Sequence, residues 1–367
     1  MKIKMGLSGA RRSSALLASA SILLSGCNQQ TIVDRINMIS ILGIDTRDEL
    51  IVGNAIYPDY DHREKLKFTQ GIGRTTQLVF GEMQMHETKP LRLGKLRMLI
   101  FSRALAEKGI IRFIHSICRD PLINSYVILA VSEQPTETVL KKMEKQGSEK
   151  LPNRLITQNE KAGNVPVTNL QTFLFNYYGE GRDVFMPYIG LGESGKIEVR
   201  GTAAFRDDKL ALVLSKPESV ALKLLQSKFE NGFIPVQFDE AKEGYPAVLM
   251  IVSGGSDMKM SQEGGETTIT FRTKVYGYLK DQEERVDIRE QSDFEYIERA
   301  VEKEINQQME TLLLKLQKRG IDPLGIGDFV RARDRRWKEG EFYSLVYPRL
   351  KLRVESKVKL KESNIGN

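Results

Sequence analysis

The chain has 367 residues, 41% hydrophobic and 28% charged, enough to bury ordinary cores and too long for one typical domain, so two or three domains are expected. Its formal charge of +7 overstates the balance of the main body. Lys2, Lys4, Arg11 and Arg12 lie in a leading segment without acids, and removing them leaves +3, which gives no footing for nucleic-acid binding.

That leading segment is a cationic stretch followed by Ser13 to Leu24, built of Ala, Leu, Ile and Ser only, the layout of a secretory signal. It is too short to span a bilayer, which takes about 20 apolar residues, so residues 1–26 are expected to be removed. Leu24-Ser25-Gly26-Cys27 resembles a lipobox. The resemblance implies that the Cys27 thiol receives a diacylglyceryl group, with room for N-terminal acylation after cleavage. Two acyl chains suit the physics, since one gives only marginal, reversible membrane binding. The competing reading, a core cysteine in an N-terminal helix, fits poorly with the polar run Asn28-Gln29-Gln30-Thr31 that follows. Residues 27–37 are read as a lipidated tether.

Further on, Met38–Ile44 and Leu50–Tyr57 are predicted strands around the turn Asp45-Thr46-Arg47-Asp48. Leu96–Phe101 is a third strand, followed by a helix from about Arg103 to Arg119 that stops before Pro121. Within it, helical spacing places Cys118 on a face with Ile111, Ile114 and His115, which predicts a buried, inert thiol. His115 and Cys118 lack a second ligand pair, so no metal is expected, and one cysteine beyond Cys27 leaves no disulfide scaffold. Asn124–Val131 reads as a strand, Pro135 to Lys145 as a helix, and Thr168 as the N-cap of a helix carrying Leu170, Phe173, Leu174 and Tyr177.

Glycines at 190, 192, 195 and 201 predict a domain boundary after Pro187. Ile197–Phe205 and Lys209–Leu214 are strands across Arg206-Asp207-Asp208, and Ser215-Lys216-Pro217-Glu218 is a capping box opening a helix to about Lys228. Ile234 to Ile288 reads mainly as sheet. Phe294 to Gln317 carries an apolar stripe at helical spacing and should cover that sheet; Gly320 and Pro323 end it. A shorter helix from Gly327 to Trp337 precedes a last strand, Arg349–Lys361. There Leu350, Leu352, Val354, Val358 and Leu360 alternate with Arg349, Lys351, Arg353, Lys357, Lys359 and Lys361. One face is core and the other cationic, suited either to anionic headgroups or to blunting a sheet edge.

The expected class is mixed α/β (α+β), multidomain, with mixed sheets covered by helices and neither a Rossmann fold nor a TIM barrel. An N-terminal α/β domain would occupy residues 38–190. A C-terminal α+β region would occupy 191–367, divisible into a middle subdomain, 191–245, and a sheet with the long helix, 246–367. Gly190-Leu191-Gly192-Glu193-Ser194-Gly195 matches a dinucleotide fingerprint, but a strand-like segment follows it, so a glycine-rich interdomain turn is favoured. His62, His86 and His115 are scattered and no catalytic motif is present, so neither catalysis nor a cofactor is expected.

Several of these residues together resemble one family. Cys27, Leu42-Gly43-Ile44-Asp45, Leu96 to Ile100, Ala104 to Gly109, Arg119-Asp120-Pro121, Val167 to Leu174, Met186-Pro187 and Gly320-Ile321-Asp322-Pro323-Leu324-Gly325-Ile326-Gly327 are similar to the Ger(x)C spore germination proteins. The resemblance implies the C subunit of a nutrient germinant receptor, lipid-anchored on the outer face of the spore inner membrane. It would assemble with membrane-embedded A and B subunits, without enzymatic activity or cofactor. The alternative is a solute-binding lipoprotein of a transporter, with a ligand cleft between two lobes; a cell-envelope hydrolase is a third, disfavoured reading.

Overall fold

The computed structural model describes residues 35–59, 65–146, 151–226, 228–238, 245–280 and 291–361. Cys27 with Leu24, Ser25 and Gly26, and also His62, lie outside them. Residues 37–367 form one compact unit.

The first half opens with strands β1 (Asn37–Met38), β2 (Ile41–Arg47), β3 (Leu50–Pro58) and β4 (Leu66–Gly73) and helix α1 (Thr76–Met85). It continues with β5 (Leu91–Arg92), β6 (Met98–Ser102), α2 (Arg103–Ala106), α3 (Ile111–Cys118), β7 (Ile128–Ser132), α4 (Thr136–Gln146), α5 (Leu151–Lys161) and α6 (Leu170–Tyr178). Then come β8 (Phe185–Leu191), β9 (Ile197–Arg206) and β10 (Lys209–Leu214). Eight of these strands make one sheet in the order β10-β9-β8-β7-β6-β2-β3-β4. Its centre, β2, β6, β7 and β8, is parallel and its flanks are antiparallel, so it is a mixed sheet as expected. Both faces are covered, which is why β6 and β7 are buried at every residue rather than alternating. One face packs under α1, α2, α3 and α6 through Val79, Met83, Leu105, Phe113, Ile117 and Phe173. The other lies under α4 and α5 through Val139, Leu140, Met143 and Ile156.

Four local expectations change. The β2–β3 turn is only Asp48 and Glu49, both left-handed (φ 47° and 67°), so the strands run on through Thr46 and Arg47. The helix expected over 103–119 is two, because Gly109 takes φ +116° and breaks it. After that break the buried stripe of α3 is Phe113, Ile114 and Ile117, which turns Cys118 outward: the thiol is exposed, not buried. Its proximity to the surface is partial, and burial still pushes its pKa up. The cap of α6 is Asn169 rather than Thr168, its side chain accepting from the Thr172 N–H at 2.9 Å.

The glycine-rich segment 190–195 is a hairpin joining β8 to β9 inside the eight-stranded sheet. Gly195 N–H donates to the Gly192 carbonyl, and no helix follows to cradle a phosphate. The sheet therefore continues across the boundary expected at 190/191, up to Leu214.

The second half comprises α7 (Lys216–Leu224), β11 (Phe229–Phe238), β12 (Tyr245–Glu263), β13 (Glu266–Lys280), α8 (Gln291–Arg319), α9 (Ile326–Arg331) and β14 (Lys351–Leu360). The capping box at Ser215 forms as read, with Ser215 N–H donating to Glu218 and Glu218 N–H to the serine oxygen. Strands β11 to β14 make a four-stranded sheet in sequence order, antiparallel except for the parallel β13–β14 pair. The α8 stripe, Ile297, Val301, Ile305, Met309, Leu312, Leu313 and Leu316, is buried against one face of this sheet. The helix expected over 327–337 shortens to α9.

Strand β14 is an edge strand whose free side is closed by α8. Its N–H groups at Val354, Ser356, Val358 and Leu360 donate to Glu310, Asn306, Glu302 and Glu298, at 3.0, 2.9, 2.9 and 2.9 Å. Acceptors spaced every four residues lie on one face of a helix, and alternate N–H groups point to one side of a strand. The antiparallel run of helix and strand brings the two patterns together.

Candidate functional site

Two features of residues 37–367 merit a functional reading: a polar seam between the halves and the open face of the four-stranded sheet.

The seam is built on the segment Gly320 to Gly327. Gly320 (φ +65°) ends α8, and Asp322, 1% exposed, then receives the chain that starts α9. Its carboxylate accepts from the N–H groups of Ile326 (2.9 Å) and Gly327 (2.7 Å) and from the Tyr343 hydroxyl (3.0 Å). From the first half, Asp183 accepts the Asp322 N–H at 2.7 Å and donates its own N–H to the Asp322 carbonyl at 2.9 Å. Arg182 pairs with Asp328, Gly181 N–H donates to Glu339 (2.8 Å), and the Tyr347 hydroxyl donates to the Ile321 carbonyl (2.8 Å). A second tie lies at the far end of α7. There the buried Lys223 ammonium donates to the carbonyls of Glu160 (3.2 Å) and Glu230 (3.1 Å).

Burial dominates the electrostatics of the seam. It pushes the carboxyl of Asp183 up to about 7 and that of Asp322 up to about 6, although N–H donors pull both down. Burial and the two carboxylates push Tyr343 far above the ordinary phenol range, so it stays protonated and serves as a donor. A cleft of about 420 Å³ opens beside the seam, bordered by Tyr177, Tyr178, Arg182, Arg206, Asp207 and Glu339. Its charged groups are engaged in structure: Arg182 with Asp328, Glu339 with Gly181, and Arg206 over the Tyr343 ring at 5.2 Å. The arrangement fastens one half to the other.

The sheet face opposite α8 is open to solvent. The cationic residues singled out on the last strand, Lys351, Arg353, Lys357 and Lys359, project there, and Lys361 is exposed just past its end. Register pairs Lys357 with Lys274, Arg353 with Thr270, Lys359 with Tyr276 and Glu355 with Arg272. The structure thus adds Arg272, Lys274 and Lys280 of β13 to the cationic strand. Sequence reading missed them because β13 alternates without a conspicuous charge run. Three cations have partners: Lys351 with Glu266, Lys359 with Glu298 and Arg272 with Glu355, at 3.3, 3.2 and 3.8 Å.

The remaining singled-out residues do not converge. His115 stacks on Tyr178, with Nε2 2.6 Å from its hydroxyl, while His86 caps the end of α1. Among the described residues, no three His, Cys, Asp or Glu side chains gather in a way that would hold a metal.

Comparison with known proteins fits this architecture in both halves. Residues 29–191 match the spore germination protein N-terminal domain, and residues 200–364 match the spore germination B3/GerAC-like C-terminal domain. The chain belongs to the Ger(x)C family, the C subunits of spore germinant receptors. Among its relatives is the spore germination protein GerQC of Bacillus cereus, 25% identical over 94% of this chain and 97% of that one. A putative spore germination protein, YfkR of Bacillus subtilis (strain 168), is 20% identical over 70% of this chain and 67% of that one. In fold, the chain is similar to the crystal structure of the GerBC protein, with a TM-score of 0.61 and 16% identity, covering 88% of this chain and 97% of that one.

Proposed function

We propose that the chain is a non-catalytic, lipid-anchored subunit of a nutrient germinant receptor. Cys27 carries the anchor on the outer face of the spore inner membrane, and the folded part assembles with membrane-embedded A and B subunits. The observation that carries this reading is the match of both family domains in order along nearly the whole chain, behind the lipobox-like Leu24-Ser25-Gly26-Cys27. Among the described residues, no helix is long and apolar enough to cross a membrane. A lipid on Cys27 would supply the attachment.

The test is a crosslinking pull-down of the chain from spore inner membrane, with a Cys27→Ala strain alongside. Recovery of A- and B-type receptor subunits, with release from the membrane and impaired germination in the variant, is expected. Recovery of transporter subunits instead would favour the solute-binding alternative. Normal germination with soluble Cys27→Ala protein would remove the anchoring role.

A further inference from the structure

We infer that the open face of the four-stranded sheet, centred on the Lys274–Lys357 pair, is a docking surface for anionic lipid headgroups. This rests on the membrane location proposed above and adds which surface meets the bilayer.

Charge comes first. On β13 and β14, Arg272, Lys274, Lys280, Arg353, Lys357 and Lys359 share this face with Glu355, and on β12 Asp257 stands opposite Arg272. Glu355 and Asp257 sit at the Arg272 position, Glu266 pairs with Lys351 at the turn end of the face and Glu230 lies on β11, so the cations cluster around the Lys274–Lys357 pair. Lys274 and Lys357 are directly opposite each other in register. Like charges so placed repel and weaken strand pairing. A layer of anions over the face removes that cost.

Edge protection does not account for these cations. Lysines commonly blunt an open sheet edge, but the edge of β14 is already closed by Glu298, Glu302, Asn306 and Glu310 of α8. Moreover, Lys274 and Lys280 lie on β13, an interior strand with neighbours on both sides.

The shape of the site favours a membrane over an acidic peptide. The cations are spread over two strands of a sheet face, and the main clefts among the described residues are lined by other side chains. Tyr276, 43% exposed, and Tyr278 interleave with them. Tyrosine suits the boundary between headgroups and acyl chains, where one end is apolar and the other wet. Attraction to an anionic leaflet decays within a Debye length, so a lipid anchor would hold the face where that attraction is strongest.

The test uses the full-length lipidated chain reconstituted in phosphatidylcholine vesicles or in vesicles rich in phosphatidylglycerol. Lysines are acetylated briefly and located by mass spectrometry, with the exposed Lys108 and Lys209 of the other half as references. Lys274, Lys280 and Lys357 should label several-fold more slowly in the phosphatidylglycerol vesicles, and high salt should abolish the difference. In the Lys274→Glu/Lys357→Glu variant, with its circular dichroism unchanged, Lys280 should lose its protection. Equal labelling in both vesicles overturns the proposal. So does protection confined to native membranes carrying other receptor subunits, which would identify an acidic protein as the occupant. Failure of the anchor is read separately, by flotation with phosphatidylcholine vesicles. A chain without a working anchor should still float with phosphatidylglycerol-rich vesicles alone, and floating with neither overturns the inference.

Discussion

Removing the carboxylates that close the β14 edge should destabilise the chain by a calculable amount and expose a sticky strand. In the Glu302→Ala/Glu310→Ala variant, the Val358 and Val354 N–H groups lose their acceptors while both valine side chains stay buried. A hydrogen bond to a charged acceptor contributes about 1.5–3 kcal/mol when buried; here both carboxylates are half-buried, water can substitute, and about 1–2 kcal/mol each is appropriate. The two sites are eight helical residues, roughly 12 Å, apart, far enough for their effects to add. The variant should thus lose about 2–4 kcal/mol, a large share of the usual 5–15 kcal/mol. Urea unfolding followed by circular dichroism measures it as a lower midpoint at unchanged slope. Light scattering should show association through the newly opened edge, and Glu302→Gln, which keeps an acceptor, should lose less than Glu302→Ala. A double variant within about 0.5 kcal/mol of the parent, the usual range for neutral surface changes, would refute the reasoning.

The seam makes stability fall with rising pH. Asp183 and Asp322 hold protons up to about 7 and about 6 in the folded chain, whereas an unfolded aspartate releases its proton near pH 3.9. Between those limits the folded state binds more protons, so stability is greatest at the acid end and declines toward neutrality. Asp183→Asn, which keeps an acceptor for the Asp322 N–H, should flatten the decline in melting temperature between about pH 5 and about pH 8; an unaltered slope would count against it. Gly327→Ala should cost about 1–3 kcal/mol by overpacking. Its Cβ would lie 2.7 Å from the Tyr343 oxygen and 2.9 Å from the Gly181 Cα. Gly340→Ala meets nothing within 4 Å and is the control, so equal urea midpoints for the two variants would be the contrary result. Finally, the native lipidated chain should titrate one thiol, the exposed Cys118, more slowly than a free cysteine because burial raises its pKa. Two reactive thiols would mean that Cys27 is not lipidated.

What could be read from the sequence was what is written locally. The Ser215 capping box, the α8 stripe and the alternation of β14 each rest on neighbours within a few residues, and each appears in place. The break at Gly109 was hidden, because a single glycine inside an apolar helical pattern also fits an uninterrupted helix. The Asp208 side chain, which accepts the Ile111 N–H, comes from 97 residues away. Cys118 falls on the wrong face when Ile111 and His115 are read as its stripe in place of Phe113 and Ile117. Helix α1 and strand β4 escaped notice because α1 buries only Val79 and Met83, too few for a periodic signal. Among the seam residues, Asp322 stood in the glycine- and proline-marked turn. Its partner Asp183 is 139 residues earlier with nothing local to mark it. The basic face was half legible: β14 announced its cations by strict alternation, and only strand register showed that Lys274 stands beside Lys357.

The closure of the β14 edge works like a vernier. Four residues of α-helix advance 6.0 Å and two residues of strand about 6.6 Å, so each successive acceptor falls about 0.6 Å short of its N–H. Across the three intervals from Glu298 to Glu310 the accumulated offset is about 2 Å, which side-chain reach can absorb. A few more intervals would exceed it, so the match has a built-in maximum length. Sliding β14 by one residue would turn its charged residues toward the core in place of Val354 and Val358. The long helix thereby acts as a ruler that permits a single alignment of the last strand, and with it a single placement of the charges that strand carries.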